Sequence, residues 1–311
     1  MAGAASSTAA ALDEAVSRAQ AVYLGRVAPG HRTWRARWSG GTTQVIELGE
    51  GPPLLLVHGG LGEAFQFGNI LALLARRHRV LAVDRPGHGL ADPVDYRGAD
   101  LLGHGLQFLR EIMDGLGLKS VPIVANSMGA LWALHLALES PQRVPVLVLA
   151  GSPAGINRKL PLPVRMGTLP GLKLLVQAAM RRPTRSSFRN FAKQILMAHP
   201  ERMEEDLLDL SVASQRRNAP SWISMIDRTI DIRGMKPEFL IGDRWKDLTV
   251  PTTMIWGEKD GPCPPGFGVA AAKLNPKIRF VQIDDAGHLP WLDRPDAVAE
   301  AIEAALGPAS A

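Results

Sequence analysis

Residues 121–131 read VPIVANSMGAL, and this stretch predicts a strand that passes abruptly into a helix. The apolar run Val121–Ala125 has the length and composition of a strand buried on both faces. Small residues stand two positions before and two positions after Ser127, at Ala125 and Gly129. They allow strand and helix to meet in a sharp turn that lifts the serine hydroxyl out at the helix N-terminus. Ser127 is therefore the first candidate nucleophile.

A short apolar run, a loop and a helical stretch recur along the chain, which predicts an α/β fold with a mostly parallel sheet flanked by helices. The helical stretches are Phe67–Arg77, Leu101–Leu116 and Gly129–Glu139. Two alternating segments, Arg32–Arg37 and Thr43–Leu48, predict a β-hairpin ahead of them. The other apolar runs are Leu54–Val57, Val80–Val83, Val144–Ala150, Met254–Trp256 and Phe280–Ile283.

The strand pattern is interrupted between Ser152 and about Lys246 and resumes at Val250. An insertion after one strand, followed by a return to the same sheet, predicts a cap on an α/β core. Within it we expect no strand, but helical stretches at Gly171–Met180, Ser187–Ala198 and Arg202–Gln215.

Four segments are therefore expected along the chain. Residues 1–30 form an N-terminal tail (Met1–Ala11) and a short helix (Leu12–Leu24), and residues 31–152 form the first part of the core. Residues 153–246 form the helical cap, and residues 247–311 form the second part of the core.

The composition is that of a globular protein, with 311 residues of which 46% are hydrophobic and 21% charged. No apolar run approaches the roughly 20 residues needed to span a bilayer. Cys263 is the single cysteine, which excludes an intrachain disulfide and a cysteine-based metal site. The N-terminus also lacks the basic and apolar segments of a signal peptide. These features favour a cytoplasmic location.

The net charge of +5 is unevenly distributed, because Arg158–Lys193 contains nine Lys or Arg and no Asp or Glu. Such a tract is typical of a solvated face, an acidic-substrate site or a surface for anionic membranes. No zinc-finger, recognition-helix or aromatic ribonucleoprotein pattern accompanies it, so we expect no nucleic-acid partner.

Two further candidates follow the late strands, at the sheet edge where open α/β sheets bind ligands. Asp260 follows the run at Met254, and His288 follows the run at Phe280. A serine hydroxyl needs a base, and the base needs an orienting carboxylate. Ser127, Asp260 and His288 therefore form a predicted catalytic triad, with Glu258 as the substitute acid.

A pair of backbone N–H groups is also needed to hold an oxyanion. Met128, directly after the nucleophile, supplies one. The glycine-rich turn His58-Gly59-Gly60-Leu61-Gly62 supplies the other, from Gly60 or, as second choice, Leu61.

No cofactor and no metal are expected. The eight histidines are scattered without His-x-x-x-His spacing, and no phosphate-binding glycine loop is followed by Lys-Ser/Thr.

The sequence resembles the α/β-hydrolase superfamily over about three fifths of its length, within Arg32–Ser152 and Leu248–Leu306. The motifs that carry the resemblance are His58-Gly59-Gly60, Asp84-Arg85-Pro86-Gly87-His88-Gly89, Ala125-Asn126-Ser127-Met128-Gly129, Gly257-Glu258-Lys259-Asp260 and Gly287-His288. It implies an α/β-hydrolase sheet with a cap in which substrate choice is made. Serine at 127 disfavours the haloalkane dehalogenases and epoxide hydrolases, which use aspartate there.

Within that superfamily, Asn126-Ser127-Met128-Gly129 is similar to the nucleophile turn of meta-cleavage-product hydrolases, which split carbon–carbon bonds. Those enzymes bind a substrate carboxylate with arginine, which the basic cap would suit. Two features depart from them: Leu289 replaces the tryptophan that follows their catalytic histidine, and the extended glycine-proline oxyanion loop is absent.

The sequence thus predicts a serine hydrolase that cleaves an ester, thioester or lactone of modest size through an acyl-enzyme. Its expected partner is a small-molecule substrate with an apolar acyl or aromatic part. The sequence leaves open whether that substrate also carries an anionic group. The alternatives are a carbon–carbon bond hydrolase, an acyltransferase and a receptor-like binding protein with slow turnover. The sequence leaves the oligomeric state open.

Overall fold

The computed structural model describes residues 2–307. Its strands, in chain order, are β1 (Arg32–Trp38), β2 (Gly41–Leu48), β3 (Pro53–Val57), β4 (Arg79–Val83), β5 (Ile123–Ala125), β6 (Leu147–Ala150), β7 (Ile230–Asp231), β8 (Gly234–Met235), β9 (Thr252–Gly257) and β10 (Ile278–Ile283). Eight of them form one sheet in the order β1-β2-β4-β3-β5-β6-β9-β10, and β7 and β8 form a separate hairpin. In the large sheet β2 pairs antiparallel with β1 and β4, and every other pair is parallel.

The α-helices are α1 (Ala2–Val27), α2 (Gly68–Leu74), α3 (Leu101–Gly115), α4 (Ser127–Glu139), α5 (Leu162–Met166), α6 (Pro170–Arg181), α7 (Arg185–Phe191), α8 (Glu205–Thr229), α9 (Gly266–Leu274), α10 (Pro290–Asp293) and α11 (Pro295–Leu306). Short 3₁₀ helices lie at Ala64–Phe67, Pro141–Arg143, Pro200–Arg202, Pro237–Phe239 and Gly242–Asp247, and one π turn lies at Ala192–Leu196.

The central strands are apolar on both faces because each face packs into its own core. In β3, Leu55 and Val57 belong to the core that contains α3 and α4, whereas Leu54 and Leu56 belong to the core that contains α1, α2 and α11. Successive side chains of a strand point to opposite faces, so the continuous apolar run is what a sheet covered on both sides requires. The predicted mostly parallel α/β sheet is confirmed.

The N-terminus differs from the expectation of a tail over Met1–Ala11, because α1 begins at Ala2. Six of residues 2–11 are alanine, the residue with the highest helix propensity, and this outweighs the small polar character on which the tail was predicted. The helix is held to the core by Val16, Tyr23 and Leu24, all fully buried. Met1 and residues 308–311, which the predicted segments also include, lie outside the described residues.

Between β6 and β9 the chain leaves the large sheet for about a hundred residues, mostly helical. Helix α6 matches its predicted stretch, but α8 continues to Thr229, fourteen residues beyond the expected end at Gln215, with Pro220 inside it. Burial of Trp222 and Met225 explains the extension, because packing of one helix face outweighs the hydrogen bond that a proline removes. The expectation of no strand here is also wrong, since β7 and β8 form a two-residue ladder.

None of the helices in residues 2–307 combines the length and apolar character that crossing a membrane requires.

Candidate active site

The turn around Ser127 has the strained geometry that its sequence predicted. Strand β5 ends at Ala125, α4 begins at Ser127, and the serine has a φ of +48°, a conformation uncommon for a residue with a side chain. Gly129 makes the turn possible, because a Cβ there would lie 2.3 Å from the carbonyl oxygen of His58. The small residue is required by the close approach of α4 to the end of β3.

His288 and Asp260 meet at the carboxyl edge of the sheet, in the loops that follow β10 and β9. His288 Nδ1 lies 2.9 Å from Asp260 Oδ2, and the two residues are 4% and 5% exposed. Ser127 and His288 line the same cavity, although within residues 2–307 no hydrogen bond joins the serine hydroxyl to the ring. Asp260 lies behind the histidine, away from the cavity.

Ser152 is a site residue that the sequence analysis missed. Its Oγ donates to Asp260 Oδ1 at 3.1 Å and lies 3.1 Å from His288 Nδ1, and its backbone N–H donates to Asp260 Oδ2 at 3.0 Å. The N–H of Cys263 donates to the same carboxylate at 3.0 Å. Ser152 follows β6 directly, so the rule that selected the residues after the other strands would have found it.

The substitute acid, Glu258, is turned away from this arrangement. Its side chain is exposed and accepts the backbone N–H of Asp285 at 3.0 Å. Asp260 is therefore the carboxylate that contacts the ring of His288.

Asn126 ties the serine turn to the histidine loop, a second contribution that sequence reasoning did not identify. Its side-chain amide donates to the carbonyl oxygens of Ala150, at 2.6 Å, and of His288, at 3.3 Å. The loops after β5, β6 and β10 are thereby joined through one buried side chain.

The glycine-rich turn after β3 lies where the oxyanion donors were predicted. Gly60, Leu61 and Met128 all line the cavity together with Ser127. A Cβ on Gly60 would lie 3.6 Å from the Cβ of Met128, so the two backbone segments face each other across a short gap.

A buried cationic layer supports that turn from behind. Arg85 is fully buried, donates from Nη1 to the carbonyl oxygen of Gly59 at 2.6 Å and lies 4.2 Å from the ring of Trp132. Nε2 of His88 lies 2.6 Å from the carbonyl oxygen of Gly60. Burial lowers the pKa of Arg85 to about 10, and burial together with the Arg85 charge lowers the pKa of His88 to about 3. The motif Asp84–Gly89 thus positions the glycine turn.

The cavity has a volume of about 460 Å³ and walls that are mostly apolar. The segment between β6 and β9 supplies much of the wall, with Val176, Met180 and Trp222 among the contributors. Two charged side chains, Lys173 and Asp227, line it in the described part of the chain, and they form an ion pair of 2.8 Å. No arginine of residues 2–307 lines it.

Cys263 also lines the cavity, but its thiol is poorly suited to act as a nucleophile. Burial and the nearby charge of Asp260 raise its pKa to about 12, which keeps the thiol protonated. Over the same described range, no three His, Cys, Asp or Glu side chains are grouped so as to hold a metal ion.

Comparison with known proteins gives relatives with two kinds of activity. A 2-hydroxy-6-oxononadienedioate/2-hydroxy-6-oxononatrienedioate hydrolase from Pseudomonas sp is 26% identical over 254 residues, which cover 80% of this chain and 86% of the relative. A pimeloyl-[acyl-carrier protein] methyl ester esterase from Aeromonas hydrophila is 27% identical over 274 residues, which cover 86% of this chain and 100% of the relative.

The fold is shared with solved structures. The crystal structure of a carboxylesterase from Bacillus subtilis superposes with a TM-score of 0.73 at 20% identity, over 95% of this chain and 98% of the other. The sequence profile of the "Alpha/beta hydrolase family" matches residues 54–301, which run from β3 into α11 and contain both the sheet edge and the cavity described above. The chain belongs to the alpha/beta hydrolase family.

Proposed function

We propose that this hydrolase is a serine enzyme that cleaves a carboxylic ester, thioester or lactone of modest size through an acyl-enzyme. One observation carries the proposal. Ser127, on a strained turn, shares an apolar cavity with His288, and Nδ1 of His288 is hydrogen-bonded to the buried Asp260. A serine, an imidazole and a carboxylate in this relation are the parts of a nucleophilic triad.

The first step uses the two nitrogens of His288 differently. Nδ1–H donates to Asp260 Oδ2, which fixes the tautomer and leaves Nε2 to accept a proton. As the Ser127 oxygen attacks the substrate carbonyl carbon, its proton passes to Nε2. The contact between hydroxyl and ring forms with the substrate bound, since such hydrogen bonds are often long in empty sites. Asp260 and Ser152 then stabilise the imidazolium.

The negative charge that develops on the carbonyl oxygen is held by backbone donors. We assign this role to the N–H groups of Met128 and Gly60, with Leu61 as the second choice for the latter, because all three residues line the cavity beside Ser127. Loss of one such donor typically costs about 10²–10³ in rate. Arg85 and His88 keep the glycine turn in place through the carbonyl oxygens of Gly59 and Gly60.

Collapse of the tetrahedral intermediate breaks the bond to the leaving group, which takes the proton from His288 Nε2. A water molecule, deprotonated by the same nitrogen, then attacks the acyl carbon and releases Ser127. No metal or cofactor takes part in this cycle.

The segment between β6 and β9 acts as the cap that selects the substrate. Its helices α5 to α8 supply apolar side chains to the cavity, and the ion pair between Lys173 and Asp227 leaves no free cation among the described lining residues. We therefore assign an apolar acyl or aromatic substrate part. The cap residues Arg181, Arg182 and Arg185, considered from sequence as an anionic-group site, do not line the cavity.

A second candidate function is hydrolysis of a carbon–carbon bond, which the name of the Pseudomonas relative supports. A dioate substrate carries two carboxylates, which cations stabilise best, and the described cavity offers Lys173 alone, already paired with Asp227. Ester cleavage therefore fits the cavity better.

The test is a rate profile on p-nitrophenyl esters from acetate to decanoate. We expect a peak at one chain length and a loss of about 10⁴-fold or more in kcat for Ser127→Ala, because the nucleophile is removed. Ser120→Ala, at an exposed serine three residues before β5 begins, is the matched control and should leave the rate unchanged.

Near wild-type hydrolysis by a folded Ser127→Ala protein would overturn the proposal. No turnover of any ester, with Ser127-dependent cleavage of a vinylogous diketo acid, would establish the second candidate. Tight binding of either compound without turnover would favour the receptor-like alternative.

A further inference from the structure

Exposed apolar side chains are concentrated in one short segment of the cap. Of the twelve large apolar side chains exposed in residues 2–307, seven fall within residues 162–176, on α5, α6 and the turn between them. They are Leu162, Met166, Leu169, Leu172, Leu174, Leu175 and Val176. An exposed apolar surface of this density marks a site of interaction with a protein or a membrane.

Helix α6 is covered on one side only. Its inner side chains, including Lys173, Gln177 and Met180, line the cavity. On its outer side Leu174 and Leu175 are each 69% exposed, and no residue of the helix is buried. An amphipathic helix of a soluble protein ordinarily turns its leucines inwards, so an outward pair needs another explanation.

The segment that carries this surface contains charges of one sign only. Residues 158–193 contain nine Lys or Arg and no Asp or Glu. Lys173, Arg185 and Arg189 form ion pairs with acidic residues of α8. The other six form no ion pair with any described residue: Arg158, Lys159, Arg165, Arg181, Arg182 and Lys193.

We propose that α5, α6 and these six basic residues form a docking surface for an anionic lipid bilayer. Leucines on the outer face of a helix enter the boundary between headgroups and acyl chains, while flanking Lys and Arg attract anionic headgroups. Charge complementarity selects this occupant over a second copy of the chain, because two copies would bring two unneutralised basic surfaces together. Since α6 also lines the cavity, docking places the cavity beside the lipid.

The test measures binding of the full-length protein to sedimenting vesicles, with no catalytic readout. Vesicles of phosphatidylcholine alone are compared with vesicles of equal parts phosphatidylcholine and phosphatidylglycerol. We expect the wild type to sediment with the anionic vesicles, to stay in solution with the neutral ones, and to be released at about 0.5 M NaCl, where charges are screened beyond a few ångströms.

Two double variants, each with a matched control, separate the apolar and the charged contributions. Leu174→Ser/Leu175→Ser should weaken binding about tenfold or more, since two leucines no longer enter the bilayer. The control Val269→Ser/Leu274→Ser removes two exposed apolar side chains of α9 and should bind like the wild type.

Arg181→Glu/Arg182→Glu should weaken binding about 25-fold or more, at about fivefold for each basic residue lost. Its control, Lys277→Glu/Arg279→Glu, makes the same change of net charge at exposed positions on and before β10 and should have little effect.

Three results would overturn the proposal. They are no binding of the wild type to anionic vesicles, equal losses in the test and control variants, and concentration-dependent dimerisation that Leu174→Ser/Leu175→Ser abolishes without any vesicle binding. All variants alter exposed side chains, and unchanged thermal unfolding checks that each is folded. Docking and ester hydrolysis are tested separately, so either can fail without the other.

Discussion

At the scale of single residues, the hydroxyl of Ser152 contacts both residues that would activate the proposed nucleophile Ser127. Ser152 Oγ contacts Asp260 and His288 at 3.1 Å each, while its backbone N–H independently donates to the same carboxylate. We expect Ser152→Ala to lower kcat about tenfold with little change in KM, since a hydrogen bond to a charged group contributes about 1.5–3 kcal/mol and the backbone contact remains. Steady-state kinetics on the preferred p-nitrophenyl ester measure it.

We assign Ser152 as a positioning residue that acts through Asp260 and His288. A variant that keeps the hydroxyl tests whether the hydroxyl is the group that matters. Ser152→Thr keeps the hydroxyl and should recover part of kcat. A Ser152→Ala enzyme with unchanged kcat, or one whose loss is entirely in KM, contradicts the assignment.

Cys263 gives a second prediction at the residue scale. Its thiol pKa is raised to about 12 by burial and by the charge of Asp260, so at pH 8 the reactive thiolate is about a thousandfold scarcer than for a thiol with a pKa of 9. We expect the native protein to react with a disulfide reagent at least a hundredfold more slowly than the denatured protein. Because the chain has a single cysteine, one equivalent on denaturation is the reference.

Rapid titration of the native thiol would mean that Cys263 is neither buried nor beside a carboxylate. Cys263→Ala should keep most of the esterase activity, because the backbone N–H of that residue, not its sulfur, contacts Asp260.

The residues that sequence identified and those that it missed differ in a physical way. Ser127 is marked by small neighbours, which a sharp turn needs and which are visible in five consecutive letters. Ser152 and Asn126 act through contacts with residues more than a hundred positions away, at Asp260 and His288. Ser152 stands after a strand, as the other candidates do, but its local sequence does not show which residues it contacts. Asn126 looks in sequence like an ordinary helix-capping asparagine.

At the scale of elements, two helical glycines in different surroundings give opposite predictions. A Cβ on Gly129 would lie 2.3 Å from the carbonyl oxygen of His58 and 2.6 Å from that of Val57, so Gly129→Ala must push α4 away from β3. A Cβ on Gly25, in α1, would meet nothing within 4 Å. We expect Gly129→Ala to lower the free energy of unfolding by about 3 kcal/mol or more, and Gly25→Ala to raise it by about 0.5–1 kcal/mol.

Urea unfolding of both variants beside the wild type measures the difference. An equally stable Gly129→Ala protein would show that α4 and β3 do not approach as closely as described.

The elements that were predicted well are the central strands, whose apolar sequence pattern follows from burial of both faces of the sheet. Continuous apolar runs predicted β3 to β6, β9 and β10, because each of these strands packs into two cores, and alternating segments predicted the hairpin of β1 and β2. The ends of α1 and α8 were placed wrongly for different reasons. The start of α1 lies in an alanine-rich stretch that was interpreted as a tail, whereas α8 continues past Pro220 because Trp222 and Met225 are buried. Neighbouring residues contain no signal for that burial.

At the scale of the whole molecule, buried histidines make stability depend on pH. His58 and His88 are buried beside Arg85, and burial followed by nearby positive charge lowers the pKa of both, to about 3 for His88. The unfolded chain binds protons at these rings below pH 6.5, and the native chain does not, so stability is lost as pH falls from about 6.5 towards 3.

Two buried carboxyls act in the opposite direction. Burial raises the pKa of Asp84 to about 6 and raises the pKa of Glu63 well above its ordinary value, so the contribution of both to stability increases as pH falls. The rings and the carboxyls therefore oppose each other between pH 7.5 and pH 5.5, and a variant that removes one ring isolates the histidine contribution. We expect His88→Gln to shift the change in the free energy of unfolding between pH 7.5 and pH 5.5 by about 1–2 kcal/mol in favour of pH 5.5, because a ring that takes up its proton only in the unfolded chain is removed.

Urea titrations of the wild type and of His88→Gln at the two pH values measure this shift. The same pH dependence in both proteins would show that His88 takes up a proton in the native state as readily as in the unfolded chain.

The sequence by itself determined the sheet, the strained turn at Ser127 and the order of the triad candidates. Those features depend on short-range requirements: apolar strands for two cores, small residues at a close approach, and polar residues at strand ends. The tertiary structure alone decided which carboxylate contacts His288, that Ser152 and Asn126 join the loops, and that Arg181, Arg182 and Arg185 lie outside the apolar cavity. The leucines of α6 lie exposed in the fold. A helical sequence pattern indicates that one face of the helix is apolar. Whether other parts of the protein cover that face depends on the packing of segments that are distant in sequence.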